Sequence, residues 1–470
     1  MQRTVSIMAF ICIALLLAAS SCKKESFITD SGARLNITAD SIKFDTVFTT
    51  TGSVTRSFKL INENDQALRI GSIKLMGGSG SAFKMNINGI PATEINNTEI
   101  AANDSIYIFV AVTINPTTNQ LPFIVSDSIQ IEYNNNSRKV ILEAYGRNAH
   151  FLSNQTIQSS TIWTNDLPYV ILGGLRIDSN ISLTIESGCR IYAHAGATIL
   201  VDGSLLCNGT KNNEVHFSGD RLDEGYRDLP GSWPGIYFRS TSTNNRLTFT
   251  VISNAFRAIQ AEDIAVQTNP KLVLEQCIIR QASDYGLLAQ NCNVSVSNSL
   301  ISNCGNNAAI QLGGKYRFDH CTLTSYSNTY FIHEFPVLQV SNALFQNGQL
   351  LSTDLDAVFR NCIFWGDGGT VDDEVQVTRE GSTAFSAIFE NCLYKAVNDP
   401  TNTSLLAVIK NQDPLFDSID ISNRYYDFHF NNNPFSPAID QGTNSSFPRD
   451  LDDLPRVVGT APDLGCYERQ

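Results

Sequence analysis

Val273-Leu274-Glu275-Gln276-Cys277-Ile278-Ile279, Val296-Ser297-Asn298-Ser299-Leu300-Ile301 and Phe318-Asp319-His320-Cys321-Thr322-Leu323 share one pattern. An apolar residue is followed by a polar pair, a small residue and a second apolar run. Val340-Ser341-Asn342-Ala343-Leu344-Phe345, Phe359-Arg360-Asn361-Cys362-Ile363-Phe364 and Phe389-Glu390-Asn391-Cys392-Leu393-Tyr394 continue the series. The small residue falls at 277, 299, 321, 343, 362 and 392, in steps of 22, 22, 22, 19 and 30. Short strands recurring at such a period predict a β-solenoid, in which equivalent side chains of successive coils stack into columns. Cys277, Cys321, Cys362 and Cys392 are expected in one inward column, alternating with Ser299 and Ala343. Asn298, Asn342, Asn361 and Asn391, with Gln276 and His320, are expected at the adjoining turn as a ladder of stacked amides. The long last step predicts a loop at 366–383 carrying Asp367, Asp372, Asp373 and Glu374.

Upstream, from about Phe151, short apolar strands follow one another between Gly, Asn and Asp, as in Leu183-Thr184-Ile185 and Thr198-Ile199-Leu200-Val201. Helical periodicity is absent, and the solenoid is assigned to 151–435. The segment 36–148 reads differently. Ser57-Phe58-Lys59-Leu60, Ser105-Ile106-Tyr107-Ile108-Phe109-Val110 and Ser128-Ile129-Gln130-Ile131 alternate apolar and polar between turn residues, which predicts a small β-sandwich of roughly seven strands. The fold class is therefore all-β, a sandwich followed by a parallel β-helix, with 436–470 as a terminal cap segment.

The first residues carry an address. Arg3 precedes an apolar run from Val5 to Ala19, too short for a membrane span but suited to a signal peptide over 1–21. The sequence Ala19-Ser20-Ser21-Cys22 resembles the lipobox of bacterial lipoproteins, which implies lipidation of Cys22 and a polar tether over 22–35. Lys23-Lys24-Glu25-Ser26 resembles the tethers of Bacteroidetes lipoproteins. Acyl chains on Cys22 would anchor the protein in a membrane, the outer membrane being the expected one. The formal charge of −13 argues against nucleic acid as a partner. Of eleven cysteines, Cys12 would leave with the signal and Cys22 would take lipid. The odd remainder forms no disulfide framework and no zinc spacing, and is read as core packing.

The segment 36–148 resembles the Ig-like domains of exported bacterial proteins, which implies a spacer. Near the end, Asp413-Pro414-Leu415-Phe416, Ser436-Pro437-Ala438-Ile439-Asp440, Asp450-Leu451-Asp452-Asp453 and Asp463-Leu464-Gly465-Cys466-Tyr467-Glu468 occur in an order similar to that of bacterial right-handed parallel β-helix proteins with a pectin-lyase-like fold. Trp233-Pro234-Gly235-Ile236-Tyr237-Phe238 and Val201-Asp202-Gly203-Ser204-Leu205 match that family as well. The resemblance implies a groove for extended polymers. Asp453 replaces the family's usual Gly and Cys466 its usual Ala, so a calcium loop is unsupported and no cofactor is assigned.

Chemistry is harder to locate. A glycosidase of this fold needs converging carboxylates, and a lyase needs a calcium cluster with a basic residue. Asp372-Asp373 is the only near match, no Gly-His-Gly occurs, and catalytic residues stay unassigned. His194, His216 and His320 read as packed or turn-bonded side chains, and His333 beside Glu334 suggests an acid–base pair without a third member. The densest ligand-binding candidate is the insertion from Gly219 to Trp233, with Asp220, Arg221, Asp223, Tyr226, Arg227, Asp228 and Trp233. Its polar groups and rings suit a sugar. The competing structural reading has Asp220 and Arg221 pairing with Arg227 and Asp228 while Trp233 covers the coil beneath. The expected function is a cell-envelope lipoprotein presenting a β-helix to extended ligands, polysaccharide being favoured. A polysaccharide lyase or glycoside hydrolase is the alternative, and a structural or adhesive surface protein the third.

Overall fold

The computed structural model describes residues 26–48, 52–115, 123–223, 225–263, 266–431 and 435–470. The signal segment 1–21 and Cys22 lie outside the described residues. The chain divides into two compact units, Met1–Asn148 and Ala149–Gln470.

The first unit is a β-sandwich. One sheet runs through Phe27–Ile28, Ala67–Leu75, Phe123–Tyr133, Asn136–Arg147 and Ser41–Phe48, with Glu94–Ile100 joining the Ala67–Leu75 strand. The other runs through Leu35–Ile37, Arg56–Asn62, Ser105–Val112, Phe83–Ile87 and Ile90–Pro91. Strand alternation places one face of each sheet inward, so Leu68, Ile70 and Ile131 meet Phe58, Leu60 and Ile108 in a common core. Within the stretch read as a tether, Phe27–Ile28 already pairs in parallel with Ala67–Leu68.

The second unit is a parallel β-helix with three ladders. The first holds eleven strands, from His150–Leu152 through Val215–Gly219, Ile278–Arg280 and Ile363–Asp367 to Ile409–Lys410. The second runs from Gln155–Ile157 through Ile236–Phe238 and Leu338–Ser341 to Val375–Thr378. The third runs from Thr161–Trp163 through Leu272–Glu275 and Leu355–Arg360 to Ser404–Leu406. Parallel pairing without slip puts like side chains above one another. In the third ladder Leu247, Leu274, Val296, Phe318, Phe359 and Phe389 form one inward file. Its rings pack along the axis, Phe318 tilted against Phe359 at 5.2 Å and Phe359 stacked on Phe389 at 4.7 Å between centroids.

The corner from the third ladder to the first explains the repeat. Gln276, Asn298, His320, Asn361 and Asn391 all sit at positive φ, between 45° and 54°. Asn tolerates this left-handed conformation because its short polar side chain bonds locally. The next residue turns inward, and Cys277, Ser299, Cys321, Cys362 and Cys392 are buried in one column. Register extends that column back to Thr250, Val215 and Cys189.

Three expectations are corrected. Ala343 does not belong to the column. The third ladder pairs Asp319 with Arg360, whereas Leu338–Ser341 lies in the second ladder and Ala343–Gln346 opens an antiparallel hairpin with Gln349–Ser352. The motif around Asn342 mimics the corner, yet Asn342 is buried and bonds Glu380 and Thr383 instead. Likewise 366–383 is not a single loop, because Val375–Thr378 within it is a strand of the second ladder. The amides also do not ladder with one another, apart from the Asn361–His320 contact at 3.0 Å. Gln276 donates to the Asp450 carbonyl, Asn391 to that of Gln441 and Asn361 to that of Thr443.

Those partners belong to the C-terminal segment, which lies along the flank of the first ladder. The outward file of that ladder, Val251, Ile278, Leu300, Thr322, Ile363, Leu393 and Ile409, is mostly apolar. Phe416, Phe428, Phe430, Leu451, Leu464 and Cys466 cover it in a second core. Arg456, fully buried, ties the segment down through the Gly465 and Cys466 carbonyls and the Asn298 side chain.

Candidate functional site

The 219–233 insertion leaves the first ladder after Val215–Gly219 and rejoins the second at Ile236–Phe238. Arg221 grips Asp223 through both sides of its guanidinium, at 2.9 and 3.2 Å, and lies over the Tyr226 ring at 3.9 Å. Asp220 accepts from His194 at 2.7 Å, and Arg227 pairs with the adjacent Asp228 at 3.5 Å. The pairing of Asp220 and Arg221 with Arg227 and Asp228 therefore does not form. Side chains two residues apart reach each other first. Trp233 is 1% exposed, with its indole N–H on the Ser253 carbonyl at 2.9 Å. Its expected role as a ligand platform is corrected, because the ring is part of the core. Among the aromatics of this loop Tyr226 alone is exposed.

A better-formed surface lies on the outer face of the second ladder. Its outward positions stack as Tyr237, Gln260, Leu288, Ala309, Gln339 and Gln376 in one file, with Leu288 and Ala309 covered and buried in its middle. Register places Glu262, Gln290, Gln311, Ser341 and Thr378 in the next. Gln290 donates to Gln311 at 2.9 Å, and Gln339 to Asn306 at 3.1 Å. The hairpin Ala343–Gln346 and Gln349–Ser352 rises beside this face with Phe345 70% exposed. Two hollows open there. One of about 180 Å³ lies between Gln311, Gln339, Phe345 and Gln376. The other, about 510 Å³, is lined by Glu334, Asp372, Gln376, Asn398 and Thr401. Gln376 and Thr378 line both, so the hollows adjoin.

None of these glutamines stood out in the sequence. Their signal was Ile259-Gln260-Ala261, Leu338-Gln339-Val340 and Val375-Gln376-Val377, a glutamine between two apolar residues in three of the second-ladder strands.

At the acidic end, Asp373 accepts from the backbone N–H groups of Val397 and Asn398, at 2.7 and 2.8 Å, and so builds a turn. Asp372 and Glu334 are exposed in the hollow. The suggested His333–Glu334 pair is corrected. His333 points inward to Glu374 at 2.9 Å, both groups buried, while Glu334 faces out. His320 is also buried, and burial pulls its imidazole well below the ordinary value. It is held neutral with Nδ1–H on the Asp463 carbonyl and Nε2 accepting from Asn361. All nine cysteines from Cys189 to Cys466 are buried and unpaired. Burial raises the thiols of Cys277, Cys292 and Cys304 to about 12, which makes them packing groups rather than nucleophiles.

Residues 234–396 match the family model described as a right handed beta helix region. No curated protein matches the chain. Among solved structures, the catalytic unit of a thermostable GH87 alpha-1,3-glucanase from Streptomyces thermodiastaticus is 11% identical with a TM-score of 0.23, over 79% of this chain and 91% of that one. The ASH/PapD-like domain of human CEP192 is 11% identical with a TM-score of 0.19, over 27% of this chain and 94% of that one. A family 123 glycoside hydrolase from Clostridium perfringens is 10% identical with a TM-score of 0.17, and the chain spans only 25% of its length. The body of this protein is a right-handed parallel β-helix.

Proposed function

We propose that this chain is a lipid-anchored protein of the bacterial cell envelope, placed in the outer membrane, that binds an extended polysaccharide on the outer face of its second ladder. The observation that carries the reading is the pair of adjoining hollows that share Gln376 and Thr378, the smaller of them walled by the exposed Phe345 ring. A glutamine amide both donates and accepts, as a sugar hydroxyl does, and carries no charge. Neighbouring coils advance by about 4.8 Å, close to the advance of one pyranose residue, so a repeating polymer meets a repeating surface. An exposed aromatic ring supplies the apolar platform for a sugar face. The role is read as binding rather than cleavage, since Asp373 is committed to a turn and Asp399 is tied up by the Tyr394 hydroxyl at 2.8 Å and Lys410 at 2.7 Å, which leaves Asp372 and Glu334 as the exposed carboxylates of the hollow. The anchor reading rests on the apolar run from Val5 to Ala19 and the lipobox-like Ala19-Ser20-Ser21-Cys22. The sandwich, read as Ig-like, would then act as a spacer.

Affinity electrophoresis against neutral β-glucan, mannan and xyloglucan tests the groove. Phe345→Ala and Gln376→Ala should each weaken retention roughly tenfold, as expected for losing about 1.4 kcal/mol from one stacking or hydrogen-bonding group. Equal retention by all three proteins refutes the groove. New reducing ends or unsaturated products would replace binding by hydrolysis or lyase chemistry and direct attention to Asp372 and Glu334. For the anchor, Cys22→Ala should abolish palmitate labelling of the chain in cells, and persistent labelling refutes it.

A further inference from the structure

A second opening lies on another flank of the β-helix. It is a cleft of about 360 Å³ between the coils at Ile278–Gln281 and Leu300–Asn303 and the C-terminal hairpin of Phe416–Asp420 and Tyr425–Phe430. Arg280 and Arg424 both line it. Neither guanidinium has an ion pair or a hydrogen bond among the described residues, although Arg424 lies over the Tyr330 ring at 4.5 Å. Asp228 acts on Arg280 from a distance without reaching it.

The carboxylates nearby are already occupied. Asp427 bonds His429 Nδ1, and Asp452 bonds His429 Nε2 at 2.7 Å while also taking Lys211. Held between two carboxylates, the imidazole rises to about 9 and is itself positive at neutral pH. In a chain of net charge −13, this cleft thus presents two unpaired guanidiniums, Arg280 and Arg424, beside a protonated His429 whose charge is already met by Asp427 and Asp452.

The backbone adds a second observation. Arg424 is held at φ 55° at the tip of the hairpin, a conformation that side chains of its size rarely adopt. Strained positions of this kind cluster at ligand clamps. Beside it Tyr425 is 57% exposed and presents a ring at the cleft.

We propose that this cleft binds an acidic sugar. The two guanidiniums take the carboxylate or sulfate oxygens, and the Tyr425 ring lies on the sugar face. A planar guanidinium with free N–H groups matches an oxyanion in a bidentate manner. The cleft is larger than one oxyanion and fits a small ligand. A long polyanion would run beyond the cleft over a chain of net charge −13, and its charges within about 8 Å of that surface are repelled even at physiological ionic strength. The ligand is therefore a short or terminal acidic saccharide. This site is separate from the glutamine-lined groove and stands or falls independently of it.

Calorimetric titration of the full chain tests the assignment with three probes: hyaluronan tetrasaccharide, neutral cellotetraose and inorganic sulfate. The tetrasaccharide should bind in the cleft, and Arg280→Gln and Arg424→Gln should each weaken it about tenfold or more, the effect of losing one charge-assisted hydrogen bond. Tyr425→Ala should weaken it several-fold, and raising the salt should weaken it in the parent but less in the arginine variants. The thermal midpoint should stay unchanged in Arg280→Gln, whose guanidinium holds no other element, and should fall by a few degrees at most in Arg424→Gln, which also loses its contact with the Tyr330 ring. The proposal is overturned if both arginine variants bind like the parent. It is overturned equally if sulfate or cellotetraose competes as well as the acidic sugar, or if Phe345→Ala removes tetrasaccharide binding while Arg280→Gln leaves it intact.

Discussion

Asn361→Leu probes the corner that generates the repeat. Asn361 is fully buried at φ 54°. Its amide donates to His320 Nε2 at 3.0 Å and to the Thr443 carbonyl at 3.0 Å, and its carbonyl oxygen accepts from the Thr443 N–H at 2.9 Å. Leucine cannot make these bonds. Stranding the buried His320 nitrogen costs about 1–2 kcal/mol, and the two Thr443 groups, which water reaches in part, cost about 1–2 kcal/mol together. Holding a leucine in the left-handed region costs about 1 kcal/mol more. The sum is roughly 3–5 kcal/mol. Asn361→Gly keeps the conformation without strain and should cost less, about 2–4 kcal/mol. Solenoids often unfold in stages, so a global midpoint is insufficient. Hydrogen exchange read by mass spectrometry should show the stretch around Thr443 opening first, because Thr443 loses both of its bonds to the Asn361 side chain while Gly465 keeps its bond to the Asn361 backbone carbonyl. A leucine variant within about 0.5 kcal/mol of the parent refutes this account. So does a glycine variant less stable than the leucine one.

Three further outcomes follow from the same structure. The nine thiols from Cys189 to Cys466 should resist alkylation in the native chain at pH 8 and all react in denaturant, checked by mass-spectrometric mapping; a reactive native thiol would contradict their burial. Trp233→Ala should destabilise the β-helix by about 3–5 kcal/mol in urea unfolding, as expected for removing a buried indole. His429 rises from 6.5 to about 9 on folding, so the stability it confers is complete below pH 6.5 and is lost as pH rises through about 9. Asp452 falls from 3.8 to about 2, so its contribution is complete above pH 3.8 and is lost as pH falls through about 2. Melting of the C-terminal segment should therefore be pH-sensitive between 6.5 and 9 in the parent and flat there in His429→Gln.

Much of this architecture was legible in the residues themselves. Inward positions must be apolar or small in every coil, so the constraint repeats and can be seen as Cys277, Cys321, Cys362 and Cys392 at recurring intervals. Asn recurs one place earlier because few other residues accept the left-handed corner cheaply. These are local demands, and a linear sequence records them. What the sequence could not separate is a true corner from a copy of its pattern. Asn342-Ala343 reads like Asn361-Cys362, yet only strand register shows that it opens the hairpin bearing Phe345. The partners of the corner amides were equally hidden, since Asp450, Gln441 and Thr443 are brought to them from far along the chain. The candidate sites depend on tertiary structure most of all. Outward side chains answer to no packing rule, so the glutamines of the second ladder and the arginines of the cleft carry little periodic trace. Their meaning comes from coils stacked side by side and from a C-terminal segment laid along one flank. Composition and period therefore determined the fold class and the column that fills the core, whereas the surface that meets a ligand was decided by the register of distant strands, because only stacking converts isolated polar residues into a continuous face.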